Sequence, residues 1–150
     1  MANIKLNNIT KCYATGDSSV RAVDDITFGI AWGEFVGVSG ESGSGKSTLL
    51  SIMGAMIHPD SGLYSVDDID IYSLGTEKRA DFRREYLGFV FQSFHLMPYL
   101  SAEENVMLPL VITKRSSGEK LSMARAALDR VGLAGKYRRL PDELSGGERE

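Results

Sequence analysis

Hydrophobic and polar residues alternate in two early stretches of the chain. Ile4 and Leu6 stand between polar neighbours, and Ile26, Phe28 and Ile30 repeat the pattern further on. A period of two predicts strands with one buried face. Gly33 closes the turn after the second stretch. The run from Glu34 to Ser39 carries Phe35, Val36 and Val38 and is apolar on both faces, which suits a strand buried on both sides. Past Lys46 the period changes, and Leu49, Leu50, Ile52 and Met53 recur at helical spacing. Pro59-Asp60-Ser61-Gly62 is turn chemistry, joining this helix to a further strand. Arg79 to Leu87 predicts a helix stopped by Gly88, and Phe89-Val90-Phe91 a short buried strand. Two capping boxes, Ser101 with Glu104 and Ser116 with Glu119, predict two more helices. Pro109 kinks or ends the first. The second carries the stripe Leu121, Ala124, Leu128 and Val131 and is ended by Gly132. The chain has no internal repeats and no low-complexity linkers.

Composition narrows the class. With 150 residues, 43% hydrophobic and 25% charged, the chain can bury a core and lacks the polar bias of a disordered polypeptide. Its 17 basic and 20 acidic residues leave a net charge of -3, which offers no general attraction to nucleic acid. The basic pairs Arg83-Arg84, Lys114-Arg115 and Arg138-Arg139 are scattered and suit solvated faces. Cys12 is the only cysteine, so no intrachain disulfide forms, and a reducing compartment fits. Beside it stand only His58 and His95, too few for a Cys/His zinc site. No apolar run reaches the length of a membrane span, and the first residues lack a signal peptide's apolar stretch. The expectation is a cytoplasmic chain, or one peripheral to a membrane through a partner.

The chemistry is concentrated in Gly40-Glu41-Ser42-Gly43-Ser44-Gly45-Lys46-Ser47. Glycines at 40, 43 and 45 let the backbone adopt conformations closed to other residues and approach a ligand closely. Successive N–H groups then form an anion-binding nest, to which the new helix adds the positive end of its dipole. Lys46 supplies a full charge for terminal phosphates, and the Ser47 hydroxyl can ligate Mg²⁺. Thr48 is expected near the α-phosphate. A strand before the loop and a helix after it are the context this motif requires. Asp129-Arg130-Val131-Gly132 matches the short DxxG element of GTPases, but no NKxD element accompanies it, and Gly132 is explained as a helix stop.

Leu144-Ser145-Gly146-Gly147-Glu148 narrows the family, since it reproduces the signature motif of ATP-binding cassette ATPases. The chain resembles that family from its first strand to its last residue. Phe89-Val90-Phe91-Gln92 resembles the family's Q-loop, and Tyr13 stands where its adenine-stacking aromatic lies. By themselves Tyr13 could equally fill the core and Gln92 could be a plain polar strand end; their order with Lys46 and Ser145 favours the functional reading. The resemblance implies an α/β P-loop cassette fold, with an N-terminal antiparallel β subdomain and part of the core sheet over about 1–92. A helical subdomain over about 93–150 follows.

It also implies roles. Tyr13 would stack on adenine, residues 40–48 would hold ATP, and Gln92 would join Ser47 at Mg²⁺ and meet the attacking water. Ser145, Gly146, Gly147 and Glu148 would face the γ-phosphate held by a second copy, arranged head to tail. Gly88-Phe-Val-Phe-Gln-Ser-Phe-His-Leu-Met-Pro98 and Glu104-Asn-Val-Met-Leu-Pro109 resemble the branch of lipoprotein-releasing, macrolide-export and cell-division cassettes. Members of that branch drive integral-membrane permeases, so the expected partners are a permease and a second ATPase copy, with membrane association indirect. Phe94, Met97 and Met107 are expected in packing or partner contact.

Several family elements do not occur in the 150 residues: the Walker B strand with its Mg²⁺-holding Asp, the water-polarising Glu and the switch His. The expectation is the N-terminal part of a cassette ATPase that binds ATP weakly without turnover, leaving apolar sheet edges uncovered. Two other classes compete. A non-hydrolysing nucleotide- or partner-binding fragment stays open. A DNA-repair or chromosome-organising cassette would need a long coiled coil between Gln92 and the signature, where about fifty residues without heptads stand.

Overall fold

The computed structural model describes residues 3–16 and 18–150. The chain falls into two units, one up to Gly88 and one from Phe89 to Glu150.

In the first unit, β1 (Ile4–Thr15) and β2 (Ser18–Ile30) form a long antiparallel hairpin. β3 (Ser61–Val66) pairs antiparallel with the other edge of β1, and the short β4 (Ile69–Asp70) pairs with β3, giving the order β2-β1-β3-β4. The hairpin register slips three times, by one extra residue in β1 and then two single ones in β2. One of them is Ala22: Lys11 faces Val23 and Cys12 faces Arg21, so Ala22 opposes nothing. Asp60, in the predicted turn, fastens β3 to β1 by accepting from Lys11 Nζ at 2.6 Å and from the Cys12 amide at 2.7 Å.

Leu6, Ile9, Val23 and Tyr64 of the sheet bury against Ile52, Ile71 and Phe82. Ile52 belongs to α1 (Lys46–Met53) and Phe82 to α2 (Thr76–Tyr86). Full burial of such a side chain contributes about 1.5–3 kcal/mol. That matters for α1, whose eight residues would not form a stable helix alone.

Two expected strands do not form. Residues 34–39 and 89–91 carry no strand, and Phe35 is 98% exposed. The reason is pairing. A strand is defined by ladder hydrogen bonds to a neighbouring strand, and none of the four described strands pairs with either segment. An apolar run predicts a buried strand only when another strand lies beside it.

The second unit is helical: α3 (Ala102–Met107), α4 (Ser117–Arg130) and α5 (Gly146–Arg149), with 3₁₀ turns at Leu108–Leu110 and Pro141–Glu143. Both predicted capping boxes are present. Ser101 and Glu104 open α3, Ser116 and Glu119 open α4, and in each the carboxylate accepts from the cap amide at 2.8 Å. α3 gives way to a 3₁₀ turn at Pro109, which cannot supply a helical N–H.

α4 ends as the sequence predicts. Gly132 has a φ of 79°, its amide bonds Asp129 O at 3.1 Å, and the Leu133 amide bonds Leu128 O at 2.9 Å. This double bond pattern with a left-handed glycine is the Schellman stop. It brings Leu133 and Leu128 into one cluster with Ala102 and Leu144. Val131 departs from the expected stripe and is 71% exposed, because the left-handed turn begins beside it.

Candidate functional site: a phosphate loop and a signature turn

The loop from Gly40 to Gly45 turns back sharply, with φ of 149° at Gly40, 82° at Gly43 and 88° at Gly45. Gly45 is required twice over. Beyond its left-handed φ, a Cβ there would stand 1.8 Å from Ala22 O. The extra residue of the β2 bulge therefore presses its carbonyl against the last glycine of the loop. From Gly45 the helix starts at once, with the Leu49 amide bonded to Gly45 O at 2.9 Å.

The Lys46 side chain folds back over the loop. Its Nζ donates to Gly40 O at 2.9 Å, Glu41 O at 2.5 Å and Ser44 Oγ at 3.2 Å. An ammonium has three N–H donors, and the loop's own oxygens take all three. The lysine so ties both ends of the loop together. Ser47 is exposed, and Thr48 half-buried on the first turn of α1. A cavity of about 390 Å³ lies between the loop and β2, but Ala22, Val23, Ile26, Val38 and Leu49 line much of it. Gly40, Ser44, Gly45 and Lys46 of the loop line the rest, with Arg21 and Asp24 of β2.

Tyr13 sits on β1 opposite Val20, exposed, with Lys11 Nζ 5.8 Å from its ring centre. Exposure removes the core-filling reading for this residue. Gln92 lies in the second unit and is exposed. Near it Phe89 and Phe91 stack at 6.0 Å, and His95 meets Phe91 edge-on at 4.9 Å. Phe94 and Met97 are exposed and Met107 is half-buried.

The signature residues form one turn. Leu144 is buried and anchors it, while Ser145 caps α5 through a capping box with Glu148, whose Oε2 accepts the Ser145 amide at 2.8 Å. Ser145, Gly146 and Gly147 are exposed. Glu148 turns inward to an ion pair with Lys136, and that pairing, helped by the Ser145 amide and hydroxyl, holds its carboxyl down at about 2. Arg149 Nε bonds Leu144 O at 2.9 Å.

Residues that sequence patterns did not single out carry this turn. Glu103, 8% exposed, accepts from Arg125 Nε at 2.7 Å. Arg125 lies 5.1 Å from the Tyr137 ring, and Tyr137 donates to Asp129 Oδ1 at 2.6 Å. Those contacts join α3 and α4 to the segment leading into the signature. The amides of Ala102 and Glu103, the first of α3, are capped by carbonyls of Arg139 and Tyr137 at 2.8 and 2.9 Å. Asn105 pins the loop before α3: its Oδ1 accepts the Met97 amide at 2.8 Å, and Nδ2 donates to Leu100 O at 2.8 Å. No local spacing signals these pairs, since each partner lies on a different element or at an irregular offset.

Among the described residues, no three His, Cys, Asp or Glu side chains gather as a metal site, and no helix is long and apolar enough to cross a membrane.

A glycine loop running into α1, with a lysine at the first helical position, defines a P-loop nucleotide-binding fold. The family follows from the whole chain. A model described as ABC transporter matches residues 23–150, and the chain belongs to that family. It is 44% identical over 147 residues to the macrolide export ATP-binding/permease protein MacB of Sodalis glossinidius, covering 98% of this chain and 22% of that protein. It is 42% identical over 147 residues to the uncharacterized ABC transporter ATP-binding protein YvrO of Bacillus subtilis, covering 98% of this chain and 64% of that one. The solved cassette MJ0796, a dimer in a post-hydrolysis state bound to ADP and Pi, superposes with a TM-score of 0.86 at 38% identity. The superposition covers 97% of this chain and 65% of that one. The chain thus spans under two thirds of these relatives.

Proposed function

We propose that this chain is the ATP-binding part of a membrane export or extraction complex, in which nucleotide held between two head-to-tail copies drives an integral-membrane permease. The observation that carries the reading is the glycine loop at the start of α1, with Gly45 pressed against Ala22 and Lys46 at hand. In this reading Lys46 exchanges its contacts to the loop carbonyls for terminal phosphate oxygens. The amides of residues 43–48 take the remaining oxygens, and Tyr13 stacks on adenine.

The residues fit Mg²⁺. That ion is commonly held by one or two protein groups together with phosphates and water, and Ser47 offers an exposed hydroxyl on the first turn of α1. Held there, the ion would neutralise charge on the phosphates.

Ser145, Gly146 and Gly147 form the face that meets the other copy's nucleotide, with Glu148 behind them capping α5. Gly146 and Gly147 support this. Neither has a left-handed φ, and a Cβ at either would meet nothing within 4 Å. Nothing in their own backbone or surroundings requires glycine, which supports close approach of a ligand from outside. Charge on the γ-phosphate then gives each copy something to grip, and its loss on hydrolysis releases the grip. The name of MacB, and that of a probable syringafactin export ATP-binding/permease protein 38% identical over 149 residues, support export as the process served. The location proposed is the cytoplasmic face of the membrane, through the permease.

The 150-residue chain is expected to bind a fluorescent ATP analogue and Lys46→Ala to remove the binding, whereas unchanged binding by that variant refutes the loop assignment. A pull-down of a membrane permease with and without nucleotide tests the partner.

A further inference from the structure

The eight residues of α1 span about 12 Å. Lys46, Ser47 and Thr48 occupy its first turn, so whatever grips the last turn aims them. Three elements do. Tyr72, just past β4, shares its hydroxyl between Ile52 O at 2.7 Å and Ile57 O at 2.5 Å. Tyr64 of β3 donates to Met53 O at 2.8 Å. Arg83 of α2 donates to Ala55 O at 2.9 Å. Ala55 has a φ of 54°, a left-handed conformation that alanine resists, and it is buried.

Tyr72 is itself clamped, with the His58 ring at 4.6 Å and the Arg79 guanidinium at 5.5 Å. Burial pushes both tyrosine hydroxyls up to about 12, so both stay protonated donors through the neutral range. Carbonyls at a helix C-terminus otherwise lack intrahelical partners. A tilt of about 5° at this end of a helix of this length would carry the other end about 1 Å off line, a displacement large enough to matter where groups must be positioned.

We propose that Tyr72, with Tyr64 and Arg83, is a positioning residue of the phosphate site, fixing the far end of α1 so that Lys46 and Ser47 point at a bound phosphate chain. The inference rests on the phosphate-loop reading above. It is tested with Tyr72→Phe against Ile9→Val, a core truncation on β1, with Arg83→Gln in place of the first variant should that one not fold. Two quantities are read: the Kd of a fluorescent ATP analogue, and hydrogen exchange of the amides of residues 43–49. Tyr72→Phe should raise the Kd about fivefold, the equivalent of one hydrogen bond, and speed exchange through the whole loop. Ile9→Val should do neither. A parent chain that fails to bind the analogue overturns the phosphate-site reading. Loop amides and Kd that ignore Tyr72→Phe, with change confined to residues 55–58, overturn this inference while leaving that reading standing.

Discussion

Alanine at position 45 tests the loop's geometry in one substitution. Gly45 sits at a φ of 88°, where an L side chain is strained by about 1–2 kcal/mol. Its Cβ would also stand 1.8 Å from Ala22 O, so the loop or β2 must retreat by more than an ångström. Forced repacking of that kind costs about 1–3 kcal/mol. Together the Gly45→Ala change should destabilise the first unit by about 2–5 kcal/mol. Gly43→Ala is the matched control. Its φ is 82° but its Cβ would meet nothing within 4 Å, so only the conformational strain applies. The difference between the two isolates the contact with the bulge. Urea unfolding followed by circular dichroism measures both, and hydrogen exchange in α1 shows whether the loss is local. If the two variants lose stability equally, to within about 0.5 kcal/mol, then Ala22 does not press on the loop and the role given to the bulge is wrong.

Glu148 sets a pH dependence. Its folded value of about 2, lowered mainly by Lys136, lies below the ordinary value of about 4.3. The pair's stabilisation is therefore present above that ordinary value and is lost as pH falls from about 5 toward 2. Acid unfolding of the second unit should be shallower in Glu148→Gln; parallel curves for variant and parent would refute the linkage. Asn105→Ala strips the partners of Met97 and Leu100 and should cost about 1–3 kcal/mol, visible as faster exchange at the Met97 amide. Ser116→Ala removes the cap of α4 and should lower the unit's stability by about 1 kcal/mol in urea unfolding, with no change in nucleotide binding.

What could be read from the chain alone is what depends on residues close together in sequence. The capping boxes at Ser101 and Ser116 join groups three residues apart, and the stop at Gly132 closes within one turn of its own helix. The glycine spacing of residues 40–47 likewise needs no distant partner to imply its shape. Tertiary structure decided what depends on neighbours far along the chain. Phe35 to Val38 and Phe89 to Phe91 carry strand-like sequence yet form no strand, since pairing is a property of two segments. The bulge carbonyl against Gly45, the clamp of Tyr72 on α1 and the pairs Glu103–Arg125 and Lys136–Glu148 bring together residues 12 to 23 positions apart. Folding alone makes them adjacent, and no periodicity in the sequence encodes which side chains will meet.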